Sequence, residues 1–354
     1  MPHLLVDIAD MHRGFVMNTG EKNRYIRNTR VLCMLWIVGF WHLGGVSNFE
    51  YSNHNTLLFT KGILATFVFI SGYLYAGRQI NDKKEMLTFY CKKFIRIYPL
   101  FIISIICFYL LYLWDKHFWY ITSIRQCILS ILGIACIFPP APGTVWFIEM
   151  MLLFWGITPI ILQISGNVQK VIWAFALCGG GYFLVVVCGS DDRLALYFPI
   201  YLYALLTVEK SKKQERSTAE TVLLVGTIVL YLLLCRLYVE ASNRCLIYFI
   251  ELTGSCMVIY IMINAGKAIQ HLSCKKPDSF LNWLDYISMA AFLFHSQIYE
   301  IVKKIIGRNL FMQEAYLLVL PVTLIISWII QCGYDQLCIK LYKSNLKGQI
   351  RQKR

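Results

Sequence analysis

The chain has 354 residues, 58% of them hydrophobic and only 15% charged. Soluble domains carry about 25% charged residues, so the composition points away from a soluble enzyme and towards a membrane protein. The formal net charge of +14 does not signal nucleic acid. The basic residues cluster in short connectors and at both termini, as a positive-inside bias and attraction to anionic lipid require.

A helix that crosses a bilayer needs about 20 largely apolar residues. Such runs fall at 31–47, 57–77, 97–114, 121–138, 144–165, 168–188, 194–208, 219–239, 245–266, 285–302 and 315–336. The first follows a basic segment with no small-x-small cleavage site, so it is expected to be a retained span. Connector charge then sets orientation. Residues 43–56 carry no Lys or Arg and belong outside. The stretches 78–96, 209–216 and 267–276, and the tail with Lys340, Lys343 and Lys347, belong inside.

Eleven crossings cannot leave both termini on one side. One run between 115 and 209 must fail to span, and 121–138, which ends at Pro139-Pro140, is the nominee, with 194–208 second. The expected fold is all-α: a polytopic membrane helix bundle of about ten transmembrane helices with one additional re-entrant or interfacial segment. Both termini are expected in the cytoplasm, residues 1–30 and 339–354 flanking a membrane domain at 31–338.

Several polar residues inside these runs carry chemistry. His42 lies in an apolar span, where an ionisable group is costly and faces a polar cavity or a partner. A neutral imidazole can take a proton from a hydroxyl; it can equally hydrogen-bond across two helices. Ser71 and Gly72 allow close helix approach. Lys92, Lys93 and Arg96 stand at the expected inner face, just before a helix that Pro99 opens at its first turn; they suit a phosphate-bearing ligand or anchor the topology. Glu149 is a carboxylate in an apolar run, beside Trp146, which either stacks on a sugar or sits in the interfacial belt. His295 follows Ser288 by seven residues, two helical turns, on nearly one face. The thirteen cysteines show no C-x-x-C and no zinc spacing, so no metal is expected. Serine-hydrolase and nucleotide-loop motifs are missing.

Taken in order, these pieces resemble the integral-membrane acyltransferase family 3, whose members O-acylate carbohydrates. The family has a basic residue and then a histidine in its first span, here Arg30 and His42. It has a phenylalanine-rich S-G-[FY] segment, here FISGY over Phe69–Tyr73. An R-x-x-R-I-Y-P-like stretch follows, here KFIRIYP over Lys93–Pro99, then a W-S-L-x-x-E-like segment, here WFIE over Trp146–Glu149. Last comes S…Y-L-x-H, matched by Ser288 and FLFH ending at His295. Two departures stand out: the Arg30-to-His42 interval is one residue longer than the family's common spacing, and WFIE is one residue short and lacks the serine.

The resemblance implies acyl transfer from a cytoplasmic acyl-CoA co-substrate, acetyl-CoA first, to a hydroxyl of a surface polysaccharide or lipid-linked glycan in the cell membrane. No permanently bound cofactor is implied. His42 would be the general base, with Glu149 and His295 beside it in the catalytic cavity. Arg30, Lys92, Lys93, Arg96 and Ser71 would bind the donor. The other classes the residues allow are a glycan or lipid transporter and a non-catalytic scaffold.

Overall fold

The computed structural model describes residues 21–44, 53–118, 121–140, 142–207, 218–272, 279–308 and 310–352. No strand occurs among them. Helix α1 (Glu21–Trp36) runs directly into a π-turn, Ile37–His42. Then follow α2 (His54–Tyr73), α3 (Lys83–Trp114), α4 (Ile124–Ile131), α5 (Trp146–Gln163), α6 (Asn167–Cys188), α7 (Arg193–Leu206), α8 (Thr218–Glu240), α9 (Arg244–Leu272) and α10 (Ser279–Ile306). A second π-turn, Ala315–Val319, leads into α11 (Leu320–Gln352).

Local sequence sets the starts. Asn53 caps α2 by accepting from the Thr56 N–H at 2.9 Å, and Thr56 Oγ1 accepts from the Asn53 N–H at 3.0 Å. Asp82 and Ser123 cap α3 and α4 in the same way. The expectation that Pro99 opens a helix is corrected: α3 begins sixteen residues earlier, and Pro99 lies inside it. A proline there has no N–H for the carbonyl four residues back, and in a bilayer that carbonyl needs another donor. The Tyr334 hydroxyl from α11 donates to Ile95 O. Pro199 in α7 is treated alike: Tyr248 of α9 donates to Ala195 O at 2.8 Å.

Seven described helices are long and apolar enough to cross a membrane: His54–Tyr73, Lys83–Trp114, Trp146–Gln163, Val168–Cys188, Glu220–Glu240, Arg244–Leu272 and Met312–Lys340. The run 121–138 does not form such a helix. It folds as the eight-residue α4, about 12 Å of rise against a hydrocarbon core of about 30 Å. Helices α6 and α8 leave Phe175, Val186, Val222 and Leu232 exposed, a lipid-facing pattern, while α2 is central and packs on α1, α7, α8 and α9.

Paired contacts give helix directions. Helices α1 and α10 run parallel, since Arg30 meets Asp285 and His42 meets His295. So do α3 and α10, joined by Ser104 with Leu293 and Asp115 with Lys304. So do α2 and α9, where a Cβ on Gly62 would lie 2.5 Å from Val258 and one on Gly254 would lie 3.3 Å from Leu58. Helices α3 and α5 are antiparallel through Tyr90 with Gly156 and Met86 with Gln163. Helices α1 and α9 are antiparallel too: Thr29 Oγ1 donates to Met262 O, and Gly266 lies against Tyr25 and Thr29.

Candidate functional site

The seam between α1 and α10 collects most of the sequence candidates at its two ends. At one end His42 closes the π-turn, its ring centroid 4.7 Å from that of His295. His295 Nδ1 lies 3.0 Å from Ala291 O and 2.9 Å from Phe292 O. Carbonyls only accept, so Nδ1 carries the proton and Nε2 presents a lone pair. That Nε2 is buried with no hydrogen-bond partner. His295 is 1% exposed, whereas His42 is half-buried, the less enclosed of the two residues. Gln297, two residues on, donates to Ser104 Oγ at 2.7 Å, while its Oε1 and Ser296 Oγ are buried without partners. Buried polar atoms left unmet are the kind that water or a hydroxylated ligand satisfies.

At the other end stands a cluster of cations. Arg30 pairs with Asp285 at 2.8 Å. Arg30, Arg78 and Arg96 surround Lys93, and Asp285, Asp335 and Tyr75 neighbour Arg96. The Lys93 ammonium lies 4.1 Å from the Trp155 ring centroid and 4.9 Å from that of Tyr75, and Arg78 is 5.3 Å over Tyr75. These aromatic faces offset part of the crowding of like charge. Arg96 is exposed as a residue, with Arg30, Tyr75, Asp285 and Asp335 acting on its charge; a guanidinium suits an anionic ligand. Ser71 does not face the cations directly: its Oγ accepts from the Trp155 indole at 2.9 Å, holding one wall of the cluster.

Twelve residues, about 18 Å of helix, separate Arg30 from His42. In an unbroken α-helix the two would project about 120° apart. The π-turn takes up one residue and brings them to within about 20° of a common face, and both meet α10. The extra residue in this interval is thus absorbed locally.

Other candidates fall elsewhere. Glu149 is 0% exposed with both carboxyl oxygens unpartnered, and its neighbours are Ser130, Cys136, Asp191 and Arg193 rather than either histidine. Trp146 is 7% exposed, with Arg193 3.7 Å from its ring centroid and Tyr197 stacked against it. Ser288 Oγ turns back to Asp285 O at 2.7 Å. Lys92 is half-buried. Arg27, the second basic residue before His42, is buried and bonds Asn28 and Asn282.

Sequence reasoning passed over Tyr75, Arg78, Trp155, Asp285 and Tyr299. Asp285 had a signal, being the acidic residue at the start of the run 285–302. A separate groove of about 550 Å³, lined by Trp36, Phe59, Tyr231, Arg236 and Glu240, lies on the α2–α8 side of α1 and holds none of these residues.

A family model described as an acyltransferase domain matches residues 23–332. No curated protein and no solved structure matches the chain. The matched region includes both histidines and the whole cation cluster, and the chain belongs to acyltransferase family 3, a family of membrane acyltransferases.

Proposed function

We propose that the protein moves an acyl group, acetyl first, from cytoplasmic acyl-CoA to a hydroxyl of a surface polysaccharide or lipid-linked glycan. The observation that carries this reading is one seam with two chemically different ends: a cluster of cations at Arg30, Arg78, Lys93 and Arg96, and the His42–His295 ring pair about 18 Å away. The cations take the phosphates of the donor. The pantetheine arm follows the seam and delivers the thioester to His42.

The acceptor oxygen attacks the thioester carbonyl while His42 removes its proton. The C–S bond breaks as the ester C–O bond forms, and the proton leaves with the thiolate as free CoA thiol. His295 orients His42, and Ser71 holds Trp155 in the donor wall. Lys92 adds positive charge near the mouth, and Glu149 shapes the packing beneath α4.

The membrane reading is ten crossings in the cell membrane, domain limits 31–338, both termini in the cytoplasm and the cations inside. Seven helices meet the length and hydropathy of a span; α1 with its π-turn, α7 and α10 complete the ten. The helix directions support this arithmetic. Parallel α1, α3 and α10 fit crossings one, three and nine, and parallel α2 and α9 fit two and eight, if one run between α3 and α10 does not cross; antiparallel α3 and α5 make that run α4.

The test is transfer of label from radioactive acetyl-CoA to glycan in membranes carrying the wild-type chain or His42→Ala. Transfer by the first and its loss in the second is expected. Unlabelled glycan with the wild type favours a transporter or scaffold, and full labelling by His42→Ala removes His42 from the reaction.

A further inference from the structure

Helix α1 leaves regular geometry immediately before its key residue, and something must hold it there. A π-turn widens the helix by one residue and releases a carbonyl from the usual ladder. Here the Leu43 N–H goes to Phe40 O, and the Tyr299 hydroxyl of α10 donates to Val38 O at 2.5 Å. Tyr299 is 2% exposed, so in that position water does not replace it. Its ring meets that of His295 edge-on at 5.5 Å, and His295 in turn lies 4.7 Å from His42.

The same device appears at Pro99 and Pro199, where tyrosines from neighbouring helices take the carbonyls the prolines leave open. Those breaks are fixed by covalent structure. The π-turn has no proline and can revert to α-geometry. Reversion would swing everything beyond it by about 100°, carrying His42 away from His295. The second π-turn packs with the first: a Cβ on Gly39 would lie 3.6 Å from Leu320, the residue that follows that turn, and Ala315 and Val319 share a buried cluster with Val38, Leu43 and Tyr299.

We infer that Tyr299 is a positioning residue, whose hydroxyl selects the π-register of residues 37–42 and whose ring edge sets His295, so that together they aim His42. The inference rests on His42 acting as the base. It predicts a defect in the chemical step and none in donor binding, because the cation cluster is at the opposite end of the seam.

The experiment compares purified full-length wild type, Tyr299→Phe, His42→Ala and a chain lacking Gly39, alone and with Tyr299→Phe. Each is assayed for kcat and for KM of acetyl-CoA. Tyr299→Phe should lower kcat about 10- to 100-fold, the scale of a misplacement near 1 Å, with KM for acetyl-CoA unchanged within about twofold. Removing Gly39 removes the extra residue and returns the turn to regular helix with His42 still facing α10, so that chain should keep near wild-type kcat. In that background Tyr299→Phe should have no further effect on kcat.

Wild-type kcat in Tyr299→Phe, with His42→Ala inactive, overturns the inference. So does a kcat loss that persists undiminished without Gly39, since the phenol would then matter for packing alone. Should Tyr299→Phe fail to assemble by itself, the pair lacking Gly39 decides the matter. Full activity in His42→Ala is the separate failure of the reading beneath it.

Discussion

The two ends of the α1–α10 seam solve opposite problems. The end at Arg30 is crowded with charge and relieved by carboxylates and aromatic faces: Asp285 pairs with Arg30, Asp335 neighbours Arg96, and Tyr75 and Trp155 flank Lys93. The end at His42 holds a ring pair in which His295 Nε2 is buried and unmet, and the adjoining turn of α10 holds two more unmet oxygens, Ser296 Oγ and Gln297 Oε1. A charged cluster tolerates burial only with compensation, and it suits a polyanionic ligand. Unmet neutral groups suit a hydroxylated one. The difference teaches that one helix face can serve two substrates of different chemistry, provided its two ends are kept in register.

The strongest way to break this division is at the histidine end. His42→Ala should lower the acylation rate by about 10²- to 10⁴-fold, the usual worth of a general base, while KM for acetyl-CoA stays near wild type. Steady-state kinetics on purified protein checks this, and an equal rise in KM would merge the two ends into one site. At the cation end Arg96→Ala should raise KM for acetyl-CoA by roughly tenfold or more, since hydrogen bonds to charged groups contribute about 1.5–3 kcal/mol. Its kcat at saturation should change little, and a collapse of kcat instead would place Arg96 in the chemistry.

The seam also depends on how α1 is seated. A Cβ at Gly266 would lie 2.1 Å from Thr29 Oγ1 and 2.6 Å from Tyr25 O, so Gly266→Ala must displace backbone. Overpacking of this kind costs about 1–3 kcal/mol. The variant should unfold at a lower temperature in detergent, with specific activity per folded molecule reduced by less than in His42→Ala.

The smallest effect belongs at the ends of α10 and α3, where Lys304 and His117 bond Asp115. The hydrogen bond from Lys304, with that from the His117 backbone, holds the Asp115 carboxyl well below the usual carboxylate range. Its contribution is therefore present above the unfolded value near pH 4 and is lost as pH falls further, through the lowered folded value. Asp115→Asn should lower Tm slightly and by a constant amount between pH 7 and 5. The gap should shrink below about pH 4; a gap that grows on acidification would reverse the assignment.

Much of this was legible in the chain. Runs of apolar residues and the placement of Lys and Arg carry the membrane fold, because hydropathy and loop charge act residue by residue. Parity of crossings called for one run between 115 and 209 not to span, and the nominee, 121–138, folds as the short α4. Arg30, Lys93, Arg96, His42 and His295 stood out because ionisable groups in or beside apolar runs are costly. Glu149 stood out for the same reason, yet it sits among Asp191, Arg193 and Ser130: cost marks a residue as important without saying which neighbours compensate it. Trp146 was ambiguous in sequence because an aromatic ring takes many partners, and only packing showed Arg193 and Tyr197 against it.

By itself, then, the sequence determined the class of fold, the number of apolar runs, the connectors in which charge gathers and the identity of most polar residues near the seam. Each follows from one-dimensional quantities, hydropathy and charge along the chain. Only the tertiary structure decided that α10 lies parallel to α1, that Tyr75, Trp155 and Asp285 complete the cation end, and that a π-turn returns His42 to the face of Arg30. Those depend on which helix faces which. A single added residue rotates a helix face by about 100°, and whether that rotation is kept or absorbed is settled by a partner such as Tyr299, 261 positions away in the chain from the carbonyl it holds.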